Sequence, residues 1–565
     1  MDKDSYYARN LFNLYSAANT DGVAVSKIPP GGILDLSESG IRANQWRGQF
    51  NFDKNWGYHQ LSVLTGAETR ETNTTGNTYR TFGYDSDNLA FGSVDVTTTY
   101  PTFVNGSSSF IPDNRSFIQQ TLRFVSLFAN GAYTYKEKYT LSGSIRRDAS
   151  NLFGVSTNNK WKPLWSTGVS WNIAKEWLEN AKGVEELKLR ITYGFSGNTD
   201  PARVAVTTLF NQGNSVYTNS PFYSFDQFAN PDLKWETVSQ ANAGLDFTFL
   251  NHRLSGSIDG YIKTASDLFG VVPVDYTTGV GFQIQKNVAK IQGKGIDLVI
   301  NSQNTNGVIK WSTGLNLSYH KDVVKEYYQT DLNAANFMTQ GNPRVSAVEG
   351  QAIYGIYAYR WGGLEPSNGL PQGLVNGELS KDYLDITGST TQISDAKYYG
   401  SALPVYYGSM GNTIAYKRFS IEARLLFKLG YYFRRSTIDY ASLYSQWSGH
   451  SDFARRWQKP GDEKSTDIPA MTYPMPAGMS NFYQNAEPFV SKGDHIRLQY
   501  ITLNYRYVPG NGIKLPFKTI NFYSSLANLG LIWKANSNGI DPDYATSYSS
   551  LTPPLTIAAG IRANF

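Results

Sequence analysis

The sequence predicts an all-β fold, and within that class an antiparallel transmembrane β-barrel. Strict apolar and polar alternation over about ten residues recurs along the chain, as in strands whose two faces meet different environments. Short turns alternate with long polar segments, which is typical of outer-membrane barrels. Aromatic residues cluster where the predicted strands meet turns, as in the interfacial girdle of such barrels.

The composition excludes a disordered chain, because so many large apolar side chains must be buried somewhere, and it excludes several classes of function. The 565 residues include 12 Trp, 39 Tyr and 30 Phe, and only 17% are charged, against about 25% in soluble domains. No cysteine is present, which excludes disulfides, zinc ribbons, iron–sulfur sites and thiol nucleophiles. The net charge of +5 is too dilute for a nucleic-acid-binding surface. No apolar run is long enough for a membrane-spanning helix.

The five histidines lie far apart in the sequence, and the common hydrolase and nucleotide-binding motifs are absent. We therefore expect no metal site, no cofactor and no enzyme activity.

Fifteen strands are predicted in order along the chain. They are centred near residues 48, 64, 126, 143, 169, 191, 244, 259, 297, 314, 412, 424, 501, 522 and 560. The long segments lie at about 71–115, 197–236, 321–406 and 431–493. The last strand is the clearest, since one face carries Leu555, Ile557, Ala559, Ile561, Ala563 and Phe565.

A large soluble antiparallel sandwich is the alternative fold. Strands of about ten residues or more favour the barrel, because soluble sheets have strands of about 5–6 residues. The girdle interpretation rests on Trp46, Trp56, Tyr133 and Tyr135 among others. Cross-strand aromatic pairing in any sheet is its alternative.

The first predicted strand runs into a short turn, whereas the first strand of a complete barrel would rise toward a long loop. We therefore expect residues 45–565 to be the C-terminal portion of a larger barrel. Residues 1–44 would hold an outer loop of a truncated N-terminal side and a partial strand near residues 7–15, which would bring the count to sixteen. The N-terminus also lacks the apolar core of a signal peptide.

An ordered succession of short motifs resembles the C-terminal barrel half of the SusC/RagA family, the TonB-dependent outer-membrane transporters of Bacteroidetes. The motifs are residues 55–59 (NWGYH), 64–68 (LTGAE), 138–150 (KYTLSGSIRRDAS), 187–198 (LKLRITYGFSGN), 230–236 (NPDLKWE), 287–289 (NVA), 293–298 (GKGIDL), and 456–457 (RW) with 459–462 (KPGD).

This resemblance implies TonB-dependent import of oligosaccharides or peptides across the outer membrane. It implies a 22-stranded plugged barrel, of which this chain would supply 15 or 16 strands. It also implies a SusD-like surface lipoprotein as partner, and contact with the TonB system through an N-terminal region that this sequence lacks.

Two sets of residues are candidates for the transport route. Six charged residues take the polar phase of alternating strands and would line the lumen: Arg146, Asp148, Glu422, Arg424, Lys428 and Arg497. Seven aromatic residues of the long segments would contact ligand: Trp361, Tyr398, Tyr399, Tyr406, Tyr407, Trp447 and Trp457. Pairing in a wet lumen and packing within loops are the respective alternatives.

Phe565 ends an alternating strand and resembles the C-terminal signal that the outer-membrane insertion machinery reads. Two other functions stay open at this point. One is a siderophore-type or passive barrel, and the other is a soluble all-β glycan-binding protein.

Overall fold

The computed structural model describes most of the chain. The residues that it does not describe are 153–161, 180, 199–206, 216, 219, 231, 274–276, 278–282, 328–331, 339–344, 511–515 and 546–550. Parts of the predicted long segments 197–236 and 321–406, and Pro231 of the 230–236 motif, lie outside the described residues.

Fifteen strands of the described chain form one antiparallel sheet, ordered as they occur in the sequence. They are β1 (Gly32–Trp56), β2 (His59–Tyr84), β3 (Ser116–Tyr135), β4 (Tyr139–Ser150), β5 (Lys162–Asn172), β6 (Val184–Asn198), β7 (Glu236–Phe249), β8 (Leu254–Pro273), β9 (Gln283–Asn306), β10 (Ile309–Tyr327), β11 (Tyr406–Tyr416), β12 (Phe419–Leu429), β13 (His495–Tyr507), β14 (Thr519–Lys534) and β15 (Thr556–Asn564). Every predicted strand centre falls inside one of them, so the predicted fold class and strand order are confirmed.

The sheet has two chemically different faces, which follow from the pairing register because directly paired residues share a face. The polar face carries, for example, Asp259, Asp297 and Ser318, which are paired in succession across β8, β9 and β10. The apolar face carries the alternate residues, such as Ile258, Leu298 and Leu317.

Large side chains of the apolar face are exposed along the sheet: Ile191 is 49% exposed, Ile296 51% and Ile561 68%. The other sheets among the described residues have two or three strands, so none of them covers this face. A sandwich would bury the face against a second sheet. The alternative of a soluble sandwich is therefore not supported.

The chain differs from the prediction at its N-terminus, where Tyr6–Leu14 is an α-helix rather than a partial strand. Ser5 caps it, because the Ser5 Oγ accepts from the Ala8 backbone N–H at 3.3 Å. Ala8 and Leu11 are one turn apart and buried, which is helical and not alternating spacing. The helix packs with Phe82 and Ile111 beside the end of β2.

Three strands are longer than predicted. β1 begins at Gly32, inside residues 1–44, for which the sequence predicts a partial strand and an outer loop. β2 continues to Tyr84, although the sequence predicts a loop from residue 71, and β10 continues to Tyr327. Residues 71–78 of β2 (ETNTTGNT) are polar on both faces, so they show no alternation. Their continuous pairing with β1 and β3 keeps them in the sheet.

The connections fall into two classes at opposite ends of the sheet. β1–β2 and β9–β10 are joined by two residues each, 57–58 and 307–308, whereas 328–405 and 430–494 join β10–β11 and β12–β13. We call these the short-turn end and the long-segment end. None of the described helices has the length and apolar character needed to cross a membrane.

The two longest segments, 328–405 and 430–494, share one hydrophobic core. Tyr359 and Tyr383 of the first segment pack there against Tyr440, Phe482 and Phe489 of the second, and all five are at most 2% exposed. The main chains are also joined, since the Tyr359 N–H donates to Asn485 O and the Glu487 N–H donates to Tyr359 O. We call this unit the outer domain.

Two of the motifs that carry the family resemblance meet in space. The Asn287 side chain donates to Lys234 O and Asp267 O and accepts from the Lys234 N–H. Leu233 and Trp235, on either side of Lys234, are buried. The 230–236 and 287–289 motifs thus hold a long segment against the sheet.

Candidate functional site

All six predicted lumen residues lie on the polar face of the sheet. Arg146 on β4 donates from Nε to Asp148 Oδ1 at 2.7 Å and from Nη2 to Ser126 Oγ at 2.8 Å. On β12, Glu422 accepts from Tyr500 Oη at 2.6 Å, and the Arg424 guanidinium lies 5.5 Å from the centroid of the same ring. These charges are therefore held in fixed positions by partners on their own or neighbouring strands.

Lys428 and Arg497 anchor residues 535–545, the described first part of the segment between β14 and β15, to the sheet. Lys428 Nζ lies 2.6 Å from Asp543 Oδ1, and Arg497 Nη2 lies 2.6 Å from Asp541 Oδ1 and 3.2 Å from Asp543 Oδ2. His495, 1% exposed, directs Nε2 at Asp543 Oδ2 at 3.3 Å. Burial raises the pKa of Asp543, but hydrogen bonds from His495 and Lys428 outweigh it, so its pKa is well below the ordinary value.

A cavity of about 670 Å³ lies at the long-segment end, and we call it the rim cavity. The sheet contributes His320 and Asp322 from the polar face of β10, and the outer domain contributes five tyrosines and two charged residues. Those seven are Tyr354, Tyr398, Tyr399, Tyr431, Tyr432, Lys492 and Asp494.

The polar groups of the rim cavity are held in place by neighbours. Tyr398 Oη accepts from the Ala352 N–H at 3.2 Å, and Tyr399 Oη donates to a Glu487 carboxylate oxygen at 3.3 Å. Burial raises the pKa of Tyr398 and Tyr399, so both phenols are neutral at physiological pH. The cavity can therefore offer aromatic faces and uncharged hydroxyl groups to a ligand.

Two of the predicted ligand contacts pack inside the outer domain. The Trp361 ring stacks on Phe482 with 6.0 Å between centroids. Trp457, 8% exposed, packs against Leu364 and Ala470, and its ring lies over Gly369, where an added Cβ would come within 2.3 Å of it. Gly369 also has a φ of +69°, so both the close approach and the backbone favour glycine.

Tyr406 and Tyr407 belong to β11 and not, as predicted, to the preceding long segment. Tyr406 lies on the apolar face, where its ring meets Tyr319 at 5.1 Å. Tyr407 lies on the polar face, paired between Ser318 and Lys428.

The remaining two candidates lie at the surface. Trp447 follows helix Tyr440–Gln446 and is 90% exposed. Phe565 continues the apolar face of β15 and is 73% exposed, with its ring 4.9 Å from that of Phe517.

Several residues of this region are not distinguished in the sequence. Asp541 and Asp543 contact His495 and Arg497 from 44 or more residues away along the chain. Three tyrosines of the rim cavity that were not predicted, Tyr354, Tyr431 and Tyr432, come from two different long segments. Strand periodicity locates Lys428 and Arg497, but their partners lie in a segment without periodicity. Only the folded chain identifies these contacts.

Residues 2–396 match a protein-family model described as TonB dependent receptor-like, beta-barrel. TonB-dependent receptor P3 of Formosa agariphila is 27% identical over 512 residues, which cover 87% of this chain and 48% of that protein. TonB-dependent receptor SusC of Bacteroides thetaiotaomicron is 27% identical over 331 residues, which cover 54% of this chain and 31% of that protein.

A solved structure described as the RagAB peptide transporter has the same fold as this chain. The TM-score is 0.73 at 20% identity, and the match covers 95% of this chain and 58% of that one. The chain spans about half the length of the curated relatives it matches. Because the family model covers more than half of the residues, the chain belongs to the TonB-dependent receptor β-barrel family, as its SusC/RagA-like motifs predict.

Proposed function

We propose that this chain forms the C-terminal part of the barrel of a TonB-dependent outer-membrane importer of oligosaccharides or peptides. The observation that carries the proposal is the division of one fifteen-stranded sheet into an exposed apolar face and an ion-paired polar face. A sheet of this kind fits a barrel wall with lipid outside and a wet lumen inside.

The position of the tryptophans on β1 supports a membrane-spanning band. Trp46 and Trp56 both lie on the apolar face, ten residues apart, and Phe50 and Phe52 lie between them on that face. Ten residues extend about 33 Å, and a tilt of about 40° reduces this to about 25 Å, the height of the apolar band of outer-membrane barrels. The rest of β1, toward Gly32, would then rise above the membrane on the long-segment side.

The rim cavity is the part of the chain best suited to contact a substrate on its way to the lumen. It joins His320 and Asp322 of the proposed lumen wall to the aromatic residues of the outer domain. Tyr398 and Tyr399, which the sequence suggests as ligand contacts, both line it. Trp361 and Trp457 would instead support the outer domain from within.

Two partners belong to this proposal. The named relatives are TonB-dependent receptors, and SusC and RagA resemble this chain. We infer energy coupling through TonB by the whole protein, and a SusD-like lipoprotein that covers the long-segment end. Opening would then be a shift between covered and uncovered states that ligand favours.

Uptake by cells that carry the protein tests the import proposal. Labelled oligosaccharides and peptides should accumulate in the periplasm of the parent strain, and deletion of the gene or of the TonB genes should abolish that accumulation. Uptake that persists without TonB would indicate a passive barrel and would refute the proposal.

The lid has a separate test, because affinity purification should recover a SusD-like lipoprotein with the protein. A substrate that binds equally tightly to the protein after removal of that lipoprotein would count against the lid.

A further inference from the structure

Trp447 combines high exposure with an unusual backbone. It ends helix Tyr440–Gln446 with φ +58° and ψ +24°, in the left-handed region, and its N–H donates to Leu443 O. This position favours glycine, and a bulky side chain there has a conformational cost. Its side chain is nevertheless 90% exposed, so packing within the chain offsets little of that conformational cost.

Aromatic contacts connect the neighbourhood of Trp447 to the core of the outer domain. Tyr444, one turn before Trp447, stacks on the fully buried Tyr440 with 6.4 Å between centroids. The Tyr444 hydroxyl donates to Thr472 O at 2.7 Å. Its ring meets Tyr473 edge-on at 5.4 Å, and Tyr473 is 82% exposed. Tyr444 and Tyr473 are therefore held by the core, and Trp447 is held through the backbone of the helix. This restraint lowers the entropy lost on binding.

The two segments that carry these three rings have no formally charged residue. Residues 440–449 (YASLYSQWSG) and 468–476 (IPAMTYPMP) contain no Asp, Glu, Lys or Arg. The carboxylate of Asp439, just outside, accepts from the Ala441 N–H and the Ser442 hydroxyl. Exposed Gln446 and Ser448 flank Trp447 and add amide and hydroxyl groups.

We propose that Trp447, Tyr444 and Tyr473 form a binding platform for a neutral oligosaccharide. A pyranose ring has an apolar face that stacks on an aromatic ring, and its hydroxyls suit Gln446 and Ser448. A charged ligand would lose hydration here without gaining a counter-charge. The inference rests on the proposed function and narrows its substrate class from oligosaccharides or peptides to neutral oligosaccharides.

Calorimetric titration of the detergent-purified protein tests the platform. The ligands are neutral α- and β-linked hexasaccharides, an oligogalacturonate of the same length and a neutral hexapeptide. We expect at least one neutral hexasaccharide to bind, with Trp447→Gly weakening it about tenfold, as loss of an aromatic contact of about 1.4 kcal/mol would. Trp447→Phe should retain part of the affinity.

The Trp447→Gly variant should fold normally, so that a loss of binding can be distinguished from misfolding. Because φ at this position is positive, Trp447→Gly should melt at the same temperature as the parent or higher. Tyr217→Ala is the matched control, since Tyr217 is an aromatic residue of another long segment with 95% exposure. It should leave hexasaccharide binding unchanged.

Three results would overturn the platform. The first is that no neutral hexasaccharide binds in a Trp447-dependent way, and the second is that the oligogalacturonate or the peptide binds instead of a neutral hexasaccharide. The third is that Trp447→Gly releases a protein partner while glycan binding is unaffected. Failure of the import proposal looks different. In that case uptake is independent of TonB, while Trp447-dependent glycan binding by the purified protein persists.

Discussion

Asp452 is a buried carboxylate of the outer domain that forms ion pairs with Arg435 and Arg455. It is 1% exposed, and its carboxylate accepts from Arg435 Nη1 at 2.7 Å, from Thr437 Oγ1 at 2.8 Å and from Arg455. Burial raises its pKa, but these hydrogen bonds outweigh burial, so the pKa lies below the ordinary value. The carboxylate therefore stays charged and holds the arginines in place.

Replacement of Asp452 by Asn should destabilise the outer domain by about 3 kcal/mol, because the buried Arg435 guanidinium would lose its counter-charge. Increased proteolysis within residues 430–494 of the folded protein would report the loss. Glu378→Gln on an exposed hairpin is the control. Equal proteolysis of the Asp452→Asn variant and the parent would contradict the role given to Asp452.

The ion pairs of Asp452 predict that the stability of the folded chain depends on pH. The pKa of Asp452 is lower in the folded than in the unfolded chain, so its stabilising contribution is complete above the unfolded value of about 4. The contribution is lost as the pH falls from there through the folded pKa. Melting temperatures from pH 7 to pH 3 should therefore fall less steeply for Asp452→Asn than for the parent. Parallel curves would argue against this linkage.

At the scale of a strand, the two faces of β6 offer a direct test of the membrane orientation. Ile191 and Thr192 are consecutive residues near its middle, on the apolar and polar faces respectively. Ile191→Lys should destabilise the protein in lipid by about 2–4 kcal/mol, since a charge at the bilayer midplane is costly. Thr192→Lys should be tolerated. Urea unfolding in lipid vesicles measures both, and equal effects would refute the assignment of faces.

The segment between β14 and β15 depends on two carboxylates for its attachment to the sheet. Asp541→Asn with Asp543→Asn should release it, because Lys428 and Arg497 would lose their ion pairs. Hydrogen exchange of residues 536–545 should then accelerate. Asn538→Ala, in the same segment but outside the ion pairs, should leave the exchange rate near that of the parent. Unchanged protection in the double variant would mean that packing holds the segment.

At the scale of the whole molecule, the outer domain links two connections of the sheet into one unit. Phe482 is fully buried and contacts Tyr359, Trp361 and Tyr383 of the other segment. Phe482→Ala should cost about 3–5 kcal/mol through the cavity it leaves. Protease should then cut both 345–405 and 430–494, while the heat-modifiable gel mobility of the barrel is kept. Cleavage of only one segment would mean that the two fold independently.

The amino-acid sequence by itself determined the strands of the sheet and their order. One face of a membrane strand contacts lipid and the other contacts water. Apolar and polar residues therefore alternate in strands such as β6 and β15, and this alternation can be read from the sequence. The helix at Tyr6–Leu14 and the extensions of β2 and β10 were not predictable in this way. The apolar residues of the helix follow helical spacing, and residues 71–78 of β2 are polar on both faces. Strand alternation is therefore absent from both.

Only the tertiary structure decided which aromatic residues of the long segments are buried and which are exposed. Trp361, Trp447 and Trp457 all lie in predicted long segments. Trp361 and Trp457 pack inside the outer domain, whereas Trp447 projects into solvent. Likewise, Lys428 and Arg497 are placed on the polar face by periodicity, but the fold supplies Asp541 and Asp543. The physical reason is that alternation is a property of neighbouring residues, whereas burial and ion pairing depend on segments that are distant along the chain.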